Sequence, residues 1–318
     1  MAILNFRYPY ISVDLEKPTT KKFFDYTLFL NAIAKLPYNK MIRLAFWRGR
    51  GFAETYKSSL ELIKENLSTY YGRKKTSSFL DKVANDIFLY SSLEEAEGAR
   101  IAQRRDDYFE KWIDINGISN LEGAVSRGKG VILAFTHYGS YASVICKLGQ
   151  MFSQPIHGVA WPYETHPCPI FRNFIHRKVE GMRHFMKGDF FFVGKINPRR
   201  LYSALNRNEM IVILIDAPLG SSYKIPINFL ARKINLPISA FKIALRTGAA
   251  IVPIAVYRAD EGKKIVADIL PYNEIHEQQQ IQPLFQSIMM EFEKYIEKNP
   301  SQFFYWTSPM SWKTINTF

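Results

Sequence analysis

The stretch Val131-Ile132-Leu133-Ala134-Phe135-Thr136-His137-Tyr138-Gly139-Ser140-Tyr141-Ala142 decides the fold. Val131 to Phe135 is a short, unbroken apolar run of the kind carried by a strand buried on both faces. Gly128-Lys129-Gly130 supplies the turn before it. Beyond Gly139 and Ser140, apolar residues recur at helical spacing (Tyr141, Val144, Ile145, Leu148, Met151). His137 therefore falls at a strand-to-helix corner, on the carboxyl end of its strand, where open α/β sheets place ligands. Two readings of the histidine stand at this point. It is either a polar side chain satisfying backbone groups at a helix start, or a base at a site.

Working outward, strand and helix alternate downstream of this corner. Strands are expected at 156–161, 190–193, 210–215, 225–230, 250–258 and 264–270, with helices at 141–152, 169–179, 198–206 and 238–247 and a long helix over 278–298. Alternation of this kind argues for an α/β fold with a mostly parallel central sheet flanked by helices. Upstream, helical patterns at 58–67, 78–90 and 93–112 dominate with no convincing strands. Residues 1–116 read as a helical N-terminal layer and residues 117–318 as the α/β core. With no repeat and no low-complexity linker, one continuous domain is the expectation.

The chain has 318 residues and 47% hydrophobic content, ample for a large core. Its two cysteines, Cys146 and Cys168, fit neither a disulfide framework nor a metal-site spacing, so a reducing, cytoplasmic setting is the default. The six histidines are dispersed, with no HExxH pattern, and no metal is expected. Gly194 to Arg200 lacks the spacing of a phosphate loop. Residues 1–20 lack the apolar core of a secretory signal, and no run reaches the ~18 apolar residues that cross a bilayer. The aromatic-rich segment from Phe23 to Trp47, near Arg43, Arg48 and Arg50, has two readings: an interfacial membrane segment or a helical hairpin packed on the core. The net charge of +13 favours anionic partners, with basic clusters at 177–178, 183–195 and 199–200 following the histidine corner.

Several blocks, taken in order, resemble the lysophospholipid acyltransferase superfamily and within it the lipid A late acyltransferases. They are Gly128-Lys-Gly-Val-Ile-Leu133, the Thr136-His137 corner, Arg177 four residues before Gly181, the strand 210–215 ending at Asp216, the segment from Leu236 to Arg258, and Asn299 to Trp312. The resemblance covers roughly Asp107 to Trp312. It implies transfer of a fatty acyl group from an acyl carrier protein or coenzyme A thioester, with no tightly bound cofactor. The implied acceptor is a lipid or metabolite hydroxyl or amine, a membrane surface is a further implied partner, and nucleic acid is not expected. An enzyme of this kind belongs in the cytoplasm or on the inner face of the membrane.

In that family the histidine is followed five residues later by a carboxylate, and here that position is Ala142. The loss matters chemically. Acyl transfer needs a base to take the acceptor's proton, and a carboxylate on the far ring nitrogen holds the productive tautomer and stabilises the imidazolium. Neutralising such a carboxylate in a triad lowers the rate by about 10⁴. Three explanations stand side by side: a substitution introduced to arrest turnover, a natural one with Asp216 or Glu164 reaching the histidine instead, or a non-catalytic module that binds acyl chains or acyl carrier protein. His137 is thus the expected base and Ala142 the position of the missing acid. Tyr138, Gly139, Ser140, Arg177 and Asp216 are assigned to the substrate site. The N–H groups of Gly139 and Ser140 suit a developing oxyanion, and the Arg177 guanidinium suits an anionic group.

Overall fold

A computed structural model of the protein describes residues 19–195, 197–217 and 223–307. Residues 1–18 of the stretch read for a secretory signal, residues 218–222 shortly after Asp216 and the end of the resembling block beyond Thr307 lie outside the described residues.

The helical N-terminal layer begins with α1 (Thr20–Phe23), which passes through a π-helical turn (Phe24–Phe29) into α2 (Leu30–Ile33). Then come α3 (Tyr38–Thr55), α4 (Lys57–Tyr71) and the 26-residue α5 (Ser77–Ala102), opened by the Thr76 hydroxyl accepting from the Phe79 N–H at 3.2 Å. Ser91 and Ser92, where the sequence suggested a break, are buried in the middle of α5, so two expected helices are one. The expected helix over 93–112 instead ends at Ala102. Arg104 adopts a left-handed φ of 57°, and only the short α6 (Phe109–Trp112) follows. Ile113–Asn116, inside the segment read as helical, is β1. It shows too few alternating residues to announce itself.

The core continues as α7 (Ile118–Ser126), β2 (Val131–Phe135), α8 (Tyr141–Met151), β3 (Ile156–Ala160), α9 (Pro169–Met186) and β4 (Phe190–Phe192). After α10 (Pro198–Asn206) and β5 (Met210–Leu214) come the hairpin strands β6 (Lys224–Phe229) and β7 (Arg232–Pro237). The chain then forms α11 (Ser239–Thr247), β8 (Ala250–Ala259), β9 (Lys264–Ile269) and α12 (Ile281–Lys298). β7 was not expected from sequence, because its hairpin turns on Leu230-Ala231, both at positive φ, where glycine or asparagine usually signals such a turn.

Among the described residues, seven strands form a sheet in the order β1-β9-β8-β2-β5-β3-β4, and only β8 and β9 pair antiparallel. The protein is therefore α/β, with a mostly parallel sheet flanked by helices and a helical N-terminal region. β2 lies at the centre of the sheet, and every one of its residues is buried. Leu133 and Phe135 join a hydrophobic cluster with residues of α3, α5, α8 and α9, while Ile132 and Ala134 join a second with α4, α10, α11 and α12. Successive strand residues thus feed opposite layers, as the period of two requires. The first cluster runs unbroken from Tyr26 to Ile269, so the N-terminal helices share their core with the sheet.

Candidate active site

Parallel register builds the site. β2 and β5 pair from Val131↔Met210 to Phe135↔Leu214, so His137 and Asp216, each two residues past the last paired position, emerge side by side at the carboxyl edge. The Asp216 carboxylate grips the corner with both oxygens. Oδ2 accepts the His137 backbone N–H at 2.7 Å, and Oδ1 lies 2.8 Å from His137 Nδ1. With the carboxylate as acceptor, Nδ1 carries a proton, and in the neutral ring this tautomer leaves the lone pair on Nε2. The Asp216 side chain is fully shielded, whereas the imidazole is partly open.

The corner is held from behind by the C-terminal segment. The Phe304 N–H donates to the His137 carbonyl at 3.0 Å, and the Gly139 N–H donates to the Gln302 carbonyl at 3.1 Å. Gln302 in turn bonds both the N–H and the carbonyl of Arg258 through its side-chain amide. Gly139 has φ of +62°, and a Cβ there would lie 2.3 Å from the Val256 carbonyl oxygen, so the turn requires glycine twice over. The Tyr305 ring packs on the imidazole at 4.6 Å between centroids, and Tyr141 lies on it at 5.9 Å. Burial, followed by the charges of Asp216 and Tyr141, pushes the Tyr305 phenol far above its usual range, so it stays a neutral O–H.

His137 opens on a cavity of about 700 Å³, within the range of small-molecule sites. β5 and β3 stay paired only as far as Val212↔Gly158. β5 runs on beside β2, while β3 turns away with β4, pairing Ala160 to Phe192. The cavity passes through this split. Consecutive residues Val212, Ile213, Leu214 and Ile215 all line it, although neighbours on a strand face opposite sides of the sheet. It is therefore two-lobed. An inner lobe lies against α8 and α9 (Ile145, Val179, Met182, Met186), and an outer lobe lies against α10 and α11 (Leu201, Tyr202, Ile243, Arg246).

The structure distributes the residues expected at the site as follows. His137, Ala142 and the Asp216 carboxylate come together, with Ala142 buried in the cavity wall. Glu164 is exposed on the turn Tyr163–Thr165, and the imidazole takes its carboxylate from Asp216. Tyr138 points to the opposite layer, where its hydroxyl donates to the Tyr295 carbonyl at 2.8 Å. The Gly139 N–H is already committed to Gln302. The Ser140 hydroxyl donates to Glu97, within a buried group in which Arg258 donates to the same carboxylate at 2.6 Å and Tyr38 to its other oxygen. Arg177 lies outside the cavity wall, donating to Asn31 Oδ1 at 3.0 Å and toward the Tyr26 carbonyl at 3.4 Å.

Its neighbour Lys178 is the cation in the wall of the inner lobe. Lys178 is buried against Glu94 of α5. Burial opposes its charge most strongly, but the Glu94 carboxylate, joined by Tyr141 and Cys146, raises its pKa on balance. The signal was in the sequence: on α9 the buried positions Phe171, Phe174, Lys178, Gly181 and Phe185 follow helical spacing, and residue 177 does not. Tyr305 was harder to assign, because it sits among aromatics that mostly fill the core. Burial also pushes up the Cys146 thiol, which keeps it protonated and unreactive.

A model of the bacterial lipid A biosynthesis acyltransferase family matches residues 11–314. A search of curated proteins finds no match. The family match spans nearly the whole chain, including both strands that carry His137 and Asp216 and all the helices that wall the cavity. This chain belongs to the bacterial lipid A biosynthesis acyltransferase family.

Proposed function

We propose that the protein is an active acyltransferase in which His137 and Asp216 form the catalytic pair. The observation that carries this reading is the 2.8 Å contact between His137 Nδ1 and Asp216 at the mouth of a largely apolar cavity. Asp216 supplies from the next strand what Ala142 lacks. The donor is a fatty acyl thioester of acyl carrier protein or coenzyme A, and the acceptor is a hydroxyl or amine. His137 Nε2 takes the proton as the acceptor oxygen or nitrogen bonds to the thioester carbonyl carbon. The tetrahedral adduct then collapses with cleavage of the C–S bond, and the imidazolium returns the proton to the departing sulfur. Asp216 holds the tautomer and stabilises the imidazolium through this cycle.

The inner lobe accepts the acyl chain. Each buried methylene there contributes about 0.8 kcal/mol, so a long chain anchors the donor without any polar contact. The acceptor arrives from a lipid surface. Supporting that, Phe23, Phe24, Leu28 and Trp47 are exposed on the outer side of α1–α3.

The test is acyl release and transfer from acyl-carrier-protein and acyl-coenzyme A thioesters by the protein, His137→Ala and Asp216→Asn. Both variants are expected to lose about 10²–10⁴ in kcat, with KM for the donor little changed. Full activity of Asp216→Asn would remove the pair from the mechanism. Tight acyl binding without turnover in the unaltered protein would leave a binding module on the same fold.

A further inference from the structure

Between Phe190 and Ala259 the chain carries ten lysines and arginines against two acids, Glu209 and Asp216. Both acids are engaged, Glu209 by Arg207 and His157, and Asp216 by His137. Four of these cations, Arg199 and Arg200 on α10 and Lys242 and Arg246 on α11, lie on the helices that wall the outer lobe. Lys242 and Arg246 lie one turn apart on α11, and both line the cavity. Neither has a carboxylate partner among the described residues. The Lys242 ammonium rests 3.7 Å from the centroid of the Tyr223 ring, and Arg246 donates to the Tyr202 hydroxyl at 3.2 Å. Two cations without counter-charges, side by side on the rim of a site, form an anion receptor. The guanidinium offers a planar fork and the ammonium a point charge.

Resting on the acyltransferase reading above, we propose that Lys242 and Arg246 bind the phosphate that ends the pantetheine arm of the donor. The geometry of the cavity gives the argument its direction. The inner lobe is apolar apart from Lys178, whose charge is already met by Glu94, and it suits hydrocarbon. The outer lobe combines an apolar floor (Leu201, Ile213, Ile243) with tyrosines and the two unpaired cations, and it suits a polar arm with an anionic end. The lobes meet at the split between β5 and β3 beside His137, which is where a thioester joining acyl chain to pantetheine must lie to react. A phosphodiester of this kind is common to coenzyme A and to acyl carrier protein. On acyl carrier protein it brings an acidic protein surface with it, which would reach the exposed Lys195 and Arg199 beside α10.

The experiment measures binding by calorimetry, without turnover, of palmitoyl-pantetheine and palmitoyl-4′-phosphopantetheine to the full chain, Lys242→Ala, Arg246→Ala and the double variant. The phosphate should tighten binding to the unaltered protein by about tenfold or more. Each single variant should lose most of that gain and the double variant all of it, while palmitoyl-pantetheine affinity stays within about twofold throughout. Phosphate discrimination that persists in the double variant would overturn the assignment, as would equal loss of both ligands. Failure of the unaltered protein to bind either thioester would instead overturn the acyltransferase reading, and this site with it. The donor's identity is read in a further arm with Lys195→Glu/Arg199→Glu. Weakened binding of palmitoyl-acyl carrier protein alone assigns the phosphate to the carrier, and unchanged binding of both donors assigns it to coenzyme A.

Discussion

A carboxylate at residue 142 would enter a wall that Asp216 has made self-sufficient. Ala142 is 3% exposed and faces the cavity next to Tyr141 and one turn before Ile145, with the Nδ1 position of His137 already occupied. Ala142→Glu is therefore expected to lower turnover rather than restore it. The added side chain would displace acyl volume and bring a second negative charge into the wall, destabilising the fold by about 1–3 kcal/mol. Acyl transfer that rises in this variant would show instead that position 142 still wants its acid. The pairing that decides this was half legible in the sequence. Asp216 ends an apolar run and was one of two carboxylates in reach, but only the β2–β5 register, a contact between residues 79 apart, separates it from Glu164. Arg177, expected at the substrate site from its motif, lies outside the cavity wall, and the buried stripe of α9 brings its neighbour Lys178 there instead. Gly139 offers a second residue-scale test. Gly139→Ala is strained both by its φ of +62° and by the Val256 carbonyl, and should lose more than about 2 kcal/mol of stability along with activity, read by urea unfolding and kcat.

At the scale of elements, α5 and α9 carry the site as a rigid pair. Gly181 of α9 lies so close to α5 that a Cβ would meet the Ile101 carbonyl oxygen at 2.0 Å, and the Lys178–Glu94 ion pair is buried between the same two helices. Removing one partner leaves a charge stranded in the interior. Lys178→Met is expected to cost about 3–5 kcal/mol, and adding Glu94→Gln should recover much of that, a comparison made by denaturant midpoints at constant slope. If the single and double variants are equally unstable, packing rather than charge governs the contact. Because Glu94 raises the Lys178 pKa above its ordinary value, the pair's contribution is fully present through neutral pH. On the alkaline side it is lost as the pH rises through the folded Lys178 value. This pair was invisible from sequence, since the run Leu93-Glu94-Glu95-Ala96-Glu97-Gly98-Ala99-Arg100 reads as a solvated face, yet every one of those residues is buried. The helices and strands that surround it were easier: α10 was expected over the residues it occupies, and β2, β3, β5, β8 and β9 within about two residues. Periodicity reports burial well when the buried residues are apolar, and fails when a core is built from matched charges.

For the whole molecule, charge and apolar exposure combine on one side. α3 packs Met41, Ile42 and Ala45 inward against α5, while Trp47 stands 63% exposed beside Phe29, and Phe23, Phe24 and Leu28 are about half exposed on the preceding helical turns. The helical-hairpin reading is realised on the inner face, which packs on the core, and an apolar fringe is left exposed on the outer face. Arg43 and Arg50 lie exposed on the same helix as Trp47, so the fringe is bordered by cations. An aromatic fringe with basic neighbours suits the headgroup region of an anionic bilayer, where tryptophan and phenylalanine bury their rings and arginine meets phosphate. Phe24→Ser combined with Trp47→Ser should weaken partitioning onto vesicles of anionic phospholipid by about 30-fold, on the order of 2 kcal/mol for two half-buried aromatic side chains. Thermal stability should stay close to that of the unaltered protein, because neither side chain contributes to the buried core. Transfer to an acceptor embedded in those vesicles should fall in step, while transfer from the same donor to a water-soluble acceptor should not. Co-sedimentation with vesicles at low and high salt separates the two contributions, since the aromatic part persists at high salt and the part due to Arg43 and Arg50 does not. If vesicle binding is unchanged by the double substitution at high salt, the fringe does not meet the lipid and the acceptor reaches His137 by another face.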